Sequence, residues 1–168
     1  QHTGSFKVRG ALAKLAVLRQ SDQASTIVTA SAGNHGLGLA YASQVLDLPA
    51  PIIFVPTNTP AAKLDRLATY DCEVRRAGDD YDACHALAED FAAQLGAIYL
   101  SAYDDPTVIA GQGTVGLEVF EDLPDLDLLL VPVGGGGLIA GLGTVARAMG
   151  TGARVIGVQP EASPAAYL

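Results

Sequence analysis

Short apolar runs alternate with stretches of helical length along nearly the whole chain, and no other feature restricts the fold as much. Residues 26–30, Thr-Ile-Val-Thr-Ala, lead through Ser31-Ala32-Gly33-Asn34-His35-Gly36 into a small-residue helix that runs to Leu46. Strands are expected again at residues 52–55, 72–75 and 97–100, separated by helices over 61–70 and 81–95. A second block reads as helix 114–122, strand 127–133, helix 138–149 and strand 154–158. An opening helix over 11–18 puts Leu12, Leu15 and Ala16 on one face. Strands that are apolar throughout are buried on both faces, so the pattern predicts an α/β chain of parallel strands covered by helices.

The break around residues 103–107 is the expected crossover between two α/β layers. Within helix 81–95, Cys84, Leu87, Phe91 and Leu95 share a stripe, while Asp82, His85, Glu89 and Asp90 fall elsewhere. Cys84 is therefore expected in the core and His85 in solvent.

Composition narrows the function classes. With 18 acidic against 10 basic residues and a net charge of -8, the chain lacks the positive field that a phosphate backbone requires, so nucleic acid is not an expected partner. The 2 cysteines, Cys72 and Cys84, and 3 scattered histidines give neither a disulfide framework nor a zinc spacing. Reduced thiols suit a cytoplasmic protein. The stretch 128–146 is uncharged, but Pro132 and four successive glycines interrupt it where a membrane span needs intact backbone pairing, so no membrane span is expected. The first residue is Gln1 and the last, Leu168, follows shortly after a strand; both ends are expected to be cut from a longer protein.

The strand at 127–133 runs directly into Gly134, Gly135, Gly136 and Gly137, then Leu138. Glycines between a buried strand and a helix let consecutive amides converge on an anion, to which the helix N-terminus adds partial positive charge; a phosphate suits this place. The alternative is a tight turn whose glycines only permit close packing. No GK[ST] follows, which excludes a Walker loop. Gly135-x-Gly137-x-x-Ala140 meets the loose dinucleotide fingerprint, but the next strand ends at Gln159 where a ribose-binding acid belongs.

Lys7 lies behind Gly4 and Ser5 at the entrance of a helix. A lysine there is either solvated or, with its pKa depressed, a nucleophile. The loop Ser31, Ala32, Gly33, Asn34, His35 ends a strand and opens a helix, so its amides and the Ser31 hydroxyl suit a second anion such as an amino-acid carboxylate. Asn34 offers an amide donor to an aromatic oxygen.

Together TGSFKVRGA, SAGNHGLGLA, AGQGT at residues 110–114 and PVGGGGLIAG resemble the fold-type II pyridoxal-phosphate enzymes, and within them the threonine and serine dehydratases. The resemblance implies a three-layer parallel-sheet sandwich of the tryptophan synthase β-like kind, with the small domain complete and the large domain partial: residues 1–25 and 105–168 in the large domain, 26–104 in the small. It makes Lys7 the lysine that holds pyridoxal phosphate covalently and moves the substrate α-proton. Phe6 would line the ring pocket, Asn34 would bond the phenolic oxygen, and Ser31, Ala32, Gly33, Asn34 and His35 would form the carboxylate loop. Gly134 to Gly137 and the Leu138 amide would hold the phosphate, with Tyr103 near the ring.

The implied reaction is dehydration and deamination of L-threonine, or L-serine, to a 2-oxo acid and ammonia, within pathways such as isoleucine biosynthesis. A small amino acid is the expected partner, and the full-length protein is expected to be a homo-oligomer. SFKVRGA and SAGNHG fit dehydratases better than the SxKDR and TSGNTG of cysteine synthases or the SFKDRG of threonine synthases. Serine racemases resemble SSGNHG; here Ala32 replaces the second serine, so racemisation is expected to be poor. Relatives with a divalent-cation site have acids where this chain has Gln159 and Ala165, so no metal is expected. Hydroxyaspartate ammonia-lyase, serine racemase and a non-catalytic nucleotide-binding domain remain the alternatives.

Overall fold

Four parallel strands form the larger sheet of the computed structural model, which describes residues 2–21 and 26–162. They are β1 (Ile27–Ala30), β2 (Ile52–Val55), β3 (Glu73–Arg76) and β4 (Ile98–Tyr99), in the spatial order β3-β2-β1-β4. This sheet belongs to the first of two units, Gln1–Ala102 and Tyr103–Leu168. The register sets Val28 against Ile52 and Ile27 against Ile98. Every residue of β1 and β2 is buried, the expected fate of apolar strands covered on both faces.

The covering layers follow the alternation of side chains along each strand. Val28, Ala30, Ile52 and Phe54 pack against Cys84, Ala88 and Ala92 of α4 (Tyr81–Leu95). Ile53 and Val55, pointing the other way, pack with Leu37 and Ala40 of α2 (Asn34–Val45) and Leu67 of α3 (Ala61–Leu67). The opening helix α1 (Lys7–Gln20) packs on α2. From β1 the chain moves outward through β2 and β3, then returns to the opposite side of β1 as β4. Such a switch point leaves a crevice beyond the carboxyl ends of its two strands. Here those ends are Ser31 to Asn34 and residues 100–102.

The stripe expected on α4 is rotated in the structure. Leu87 is 46% and Leu95 54% exposed, and Cys84, Ala88 and Ala92 make the buried face instead. Alanines let the helix lie close to the sheet, where leucines would hold it off. His85 is half-buried rather than solvated, with Nδ1 2.6 Å from the Tyr99 hydroxyl. Asp80 caps the start of α4 by accepting from the Ala83 amide, and Gly96, at φ +65°, ends it.

The second unit pairs β5 (Leu128–Pro132) with β6 (Arg154–Val158) in parallel, and packs α5 (Pro106–Asp122) against α6 (Gly137–Ala148). Here α5 begins eight residues before the predicted 114, because Asp105 caps it: one carboxylate oxygen accepts from the amides of Thr107 and Val108, and Pro106 occupies the first position. The glycines of AGQGT are helix interior. An added Cβ on Gly113 would lie 3.1 Å from the Gly141 carbonyl, and one on Gly141 2.6 Å from the Ile109 carbonyl, so glycine allows the two helices to touch by backbone. The expectation of burial on both faces fails for β5, where Leu128 and Leu130 are exposed and only Val131 is buried, since the described residues of this unit put no second helical layer over it. Among the described residues, no helix is long and apolar enough to cross a membrane.

Candidate active site

Lys7 is the first residue of α1, four residues earlier than the apolar periodicity suggests. The helix starts here because the Ser5 hydroxyl accepts the Lys7 amide at 3.1 Å, and Gly4 turns the chain at φ +74°. The backbone lies close against α2: a Cβ on Gly38 would be 3.1 Å from the Val8 nitrogen and 3.2 Å from the Lys7 carbonyl carbon. The side chain is half-buried; Nζ donates to the Ala102 carbonyl at 2.8 Å and lies 5.5 Å from the centre of the Phe6 ring. Burial lowers the amine's pKa from the ordinary lysine value.

The Ser31 to His35 loop begins at the end of β1 and opens α2, with Gly33 at the N-cap and no side chain capping the amides of the first turn. The Ser31 hydroxyl accepts from the Gly33 amide at 3.3 Å, and the side chain of Asn34 is exposed. His35 is different. The residue is 3% exposed, Nε2 lies 3.3 Å from the Leu100 carbonyl, and Nδ1 has no partner among the described residues. Because a carbonyl only accepts, the proton sits on Nε2. Burial first, and the Lys7 charge second, lower the pKa of His35 to about 4, so the ring is neutral near pH 7. When Lys7 titrates His35 is already uncharged, so the repulsion acts on the histidine alone. Any contact His35 makes with an anion at this loop falls to its backbone amide.

In the second unit, the glycine turn and Tyr103 come together. A Cβ on Gly135 would lie 2.3 Å from the Tyr103 ring, and one on Gly137 3.0 Å from the Tyr103 Cα. Gly136 has φ +87°, a conformation that side chains disfavour. Gly134 has no such constraint, since an added Cβ there meets nothing within 4 Å. The turn leads into α6, whose N-cap Gly136 supplies no side-chain cap, so the Gly137 and Leu138 amides head the helix dipole. The head of this helix is thus formed by backbone amides.

Sequence reasoning missed three contributors: the Ala102 carbonyl, Thr29, whose buried hydroxyl donates to Leu100 at 2.8 Å, and Gly38. Only Gly38 left a signal, as a glycine inside a helical pattern; main-chain acceptors leave none. Gln159 donates to the Val133 carbonyl at 3.1 Å, and Ala165 lies outside the described residues. Among the described residues, no three His, Cys, Asp or Glu side chains gather as a metal site.

The profile of a family described as pyridoxal-phosphate dependent enzyme matches residues 1–168. The chain is 42% identical to an L-threonine ammonia-lyase of Geobacter sulfurreducens over 167 residues, 99% of this chain and 41% of that protein. It is also 42% identical to a catabolic L-threonine dehydratase of Escherichia coli over 161 residues, 96% of this chain and 49% of that one. Among solved structures, threonine deaminase isoform 2 from Solanum lycopersicum matches with a TM-score of 0.90 at 38% identity, covering 98% of this chain and 48% of that chain. A serine racemase from Dictyostelium discoideum matches at 0.85 and 33%, covering 96% and 52%. The chain thus spans about half the length of the proteins it matches.

Proposed function

This chain belongs to the pyridoxal-phosphate dependent enzyme family, and from that premise we propose that it carries the reactive lysine, carboxylate loop and phosphate seat of an L-threonine ammonia-lyase. The observation that carries the reading is the state of Lys7: a half-buried amine with a lowered pKa, bonded to a main-chain carbonyl at the switch point of a parallel sheet. A lowered pKa leaves more of the amine unprotonated near neutrality, as a base or nucleophile requires. The glycine turn suits a phosphate: Gly136 takes up a positive-φ conformation that side chains disfavour, and an added Cβ at Gly134 or Gly136 meets nothing within 4 Å, so space beside the turn is open.

Pyridoxal phosphate, when bound, supplies an electron sink for the pair left on the substrate α-carbon. The chain's own residues do the rest. Lys7 would take the α-proton; the β-hydroxyl would leave as water, and hydrolysis of the released enamine would give the 2-oxo acid and ammonia. The backbone amides from Gly33 to His35 and the Ser31 hydroxyl would orient the substrate carboxylate, and Asn34 would bond the cofactor's phenolic oxygen. Gly134 to Gly137 and Leu138 would hold the phosphate, Phe6 would line the ring pocket with Tyr103 near the ring, and residues 1–25 and 105–168 would belong to the larger domain. L-Threonine is the substrate because the relatives at 42% identity carry that name; the Escherichia coli relative is termed catabolic, which favours breakdown of threonine over isoleucine biosynthesis. Racemisation is the second reading, given the serine racemase likeness, and Ala32, which has no proton to give, weighs against it.

In the protein carrying this chain, Lys7→Ala is expected to cut formation of 2-oxobutanoate from L-threonine by at least about 10²–10⁴-fold. It should also abolish covalent retention of pyridoxal phosphate after borohydride treatment. Retention of both would overturn the assignment, and chiral analysis of unreacted serine separates the racemase reading.

A further inference from the structure

Three hydrogen bonds converge on Leu100, the residue that follows β4. Its amide donates to the Val28 carbonyl at 2.8 Å, and its carbonyl accepts from the Thr29 hydroxyl at 2.8 Å and from His35 Nε2 at 3.3 Å. Two residues on, the Ala102 carbonyl accepts from Lys7 Nζ. The helix α2 therefore governs the lysine at both ends. At Gly38 it meets the Lys7 and Val8 backbone; one turn earlier, through His35, it reaches the stretch that carries the amine's acceptor.

Packing alone does not account for a histidine here. Nδ1 is buried without a partner among the described residues, which is destabilising, and a leucine of similar volume would avoid that loss. What leucine lacks is the Nε2–H. We propose that His35 is a positioning residue for Lys7: by donating Nε2–H to Leu100 it fixes residues 100–102, so that the Ala102 carbonyl holds the amine in one place and one direction. The inference rests on the reading of Lys7 as the reactive amine, but its test needs neither cofactor nor turnover.

This chain's lysines are Lys7, Lys14 and Lys63 and its histidines His2, His35 and His85; in side-chain NMR of the cofactor-free full-length protein that carries it, the Lys7 and His35 signals are assigned by their loss in Lys7→Met and His35→Gln. In the unsubstituted protein the His35 ring should be the Nε2–H tautomer at pH 7. The order parameter at Lys7 Cε should exceed about 0.8, against less than about 0.6 for exposed Lys63. His35→Leu should drop Lys7 to the Lys63 range, and His35→Gln, which keeps an N–H donor, should restore most of the order. An Nδ1–H tautomer, or a folded His35→Leu protein with Lys7 as ordered as before, overturns the proposal. The tautomer is read in the unsubstituted protein, so a His35→Leu chain that does not fold leaves the test intact. If Lys7 proves ordered through His35 while no 2-oxo acid forms, the proposed activity falls and the positioning role stands.

Discussion

The Lys7 region and the glycine turn are built in opposite ways. Around Lys7, side chains reach main-chain carbonyls: the amine to Ala102, and His35 and Thr29 to Leu100, with burial shifting the pKa of both titratable groups. Around Gly134 to Gly137 the protein removes side chains, leaving amides at the head of α6 and the Tyr103 ring against the turn. A group whose proton matters has to be held and partly dried. An anion seat needs only emptied space and aligned dipoles.

The sharpest way to break that contrast is acid. His35 takes up a proton near pH 6.5 when unfolded but only near about 4 in the fold. Between those values the unfolded chain binds more protons, so the stabilisation is complete above pH 6.5 and is lost as pH falls toward 4, by about 3 kcal/mol in all. Urea unfolding followed between pH 7 and about 5.5 should show the slope before most carboxylates titrate. Lys7→Met removes the second cause of the shift and should narrow the window from its acid side. An unchanged slope in that variant would mean that the two groups do not feel each other.

Inside the glycine turn the contrast becomes steric. Gly135→Ala drives a Cβ into the Tyr103 ring and should cost about 1–3 kcal/mol, as overpacking does. Gly134→Ala meets nothing and should stay within about 0.5 kcal/mol. Thermal unfolding of the pair checks this. If Gly134→Ala nonetheless weakens pyridoxal phosphate binding, the open side of the turn is where the anion sits; equal stability losses would remove the distinction.

The same asymmetry decides what the sequence reveals. The glycine turn is written as a string, and the alternation of apolar runs predicts every strand of both sheets within two residues. Lys7 and Asn34 stand out because small residues precede them, Gly4 and Ser5 before the lysine and Ser31 to Gly33 before the asparagine. The role of His35 does not, because it depends on a carbonyl 65 residues away. The buried face of α4 was misread for a related reason: leucines carry the strongest hydrophobic signal, yet close approach to the sheet selects alanine.

The early start of α5 was missed although Asp105 and Pro106 spell a helix N-terminus, because the glycines that follow read as a loop until α6 is seen against them. That start offers the smallest test, one in each unit. Asp105 accepts two amides, at 2.8 and 3.0 Å, from a half-buried position, while Asp80 accepts one, at 2.8 Å, in the open. Both aspartate-to-alanine changes should cost about 1 kcal/mol, the larger at Asp105, and asparagine should recover most of either loss. Hydrogen exchange localises the effect: Val108 and Ile109 should open faster in Asp105→Ala, with α4 untouched. Equal costs at the two caps would mean that the second amide bond and the partial burial at Asp105 add nothing, and that the two units start their helices by the same means.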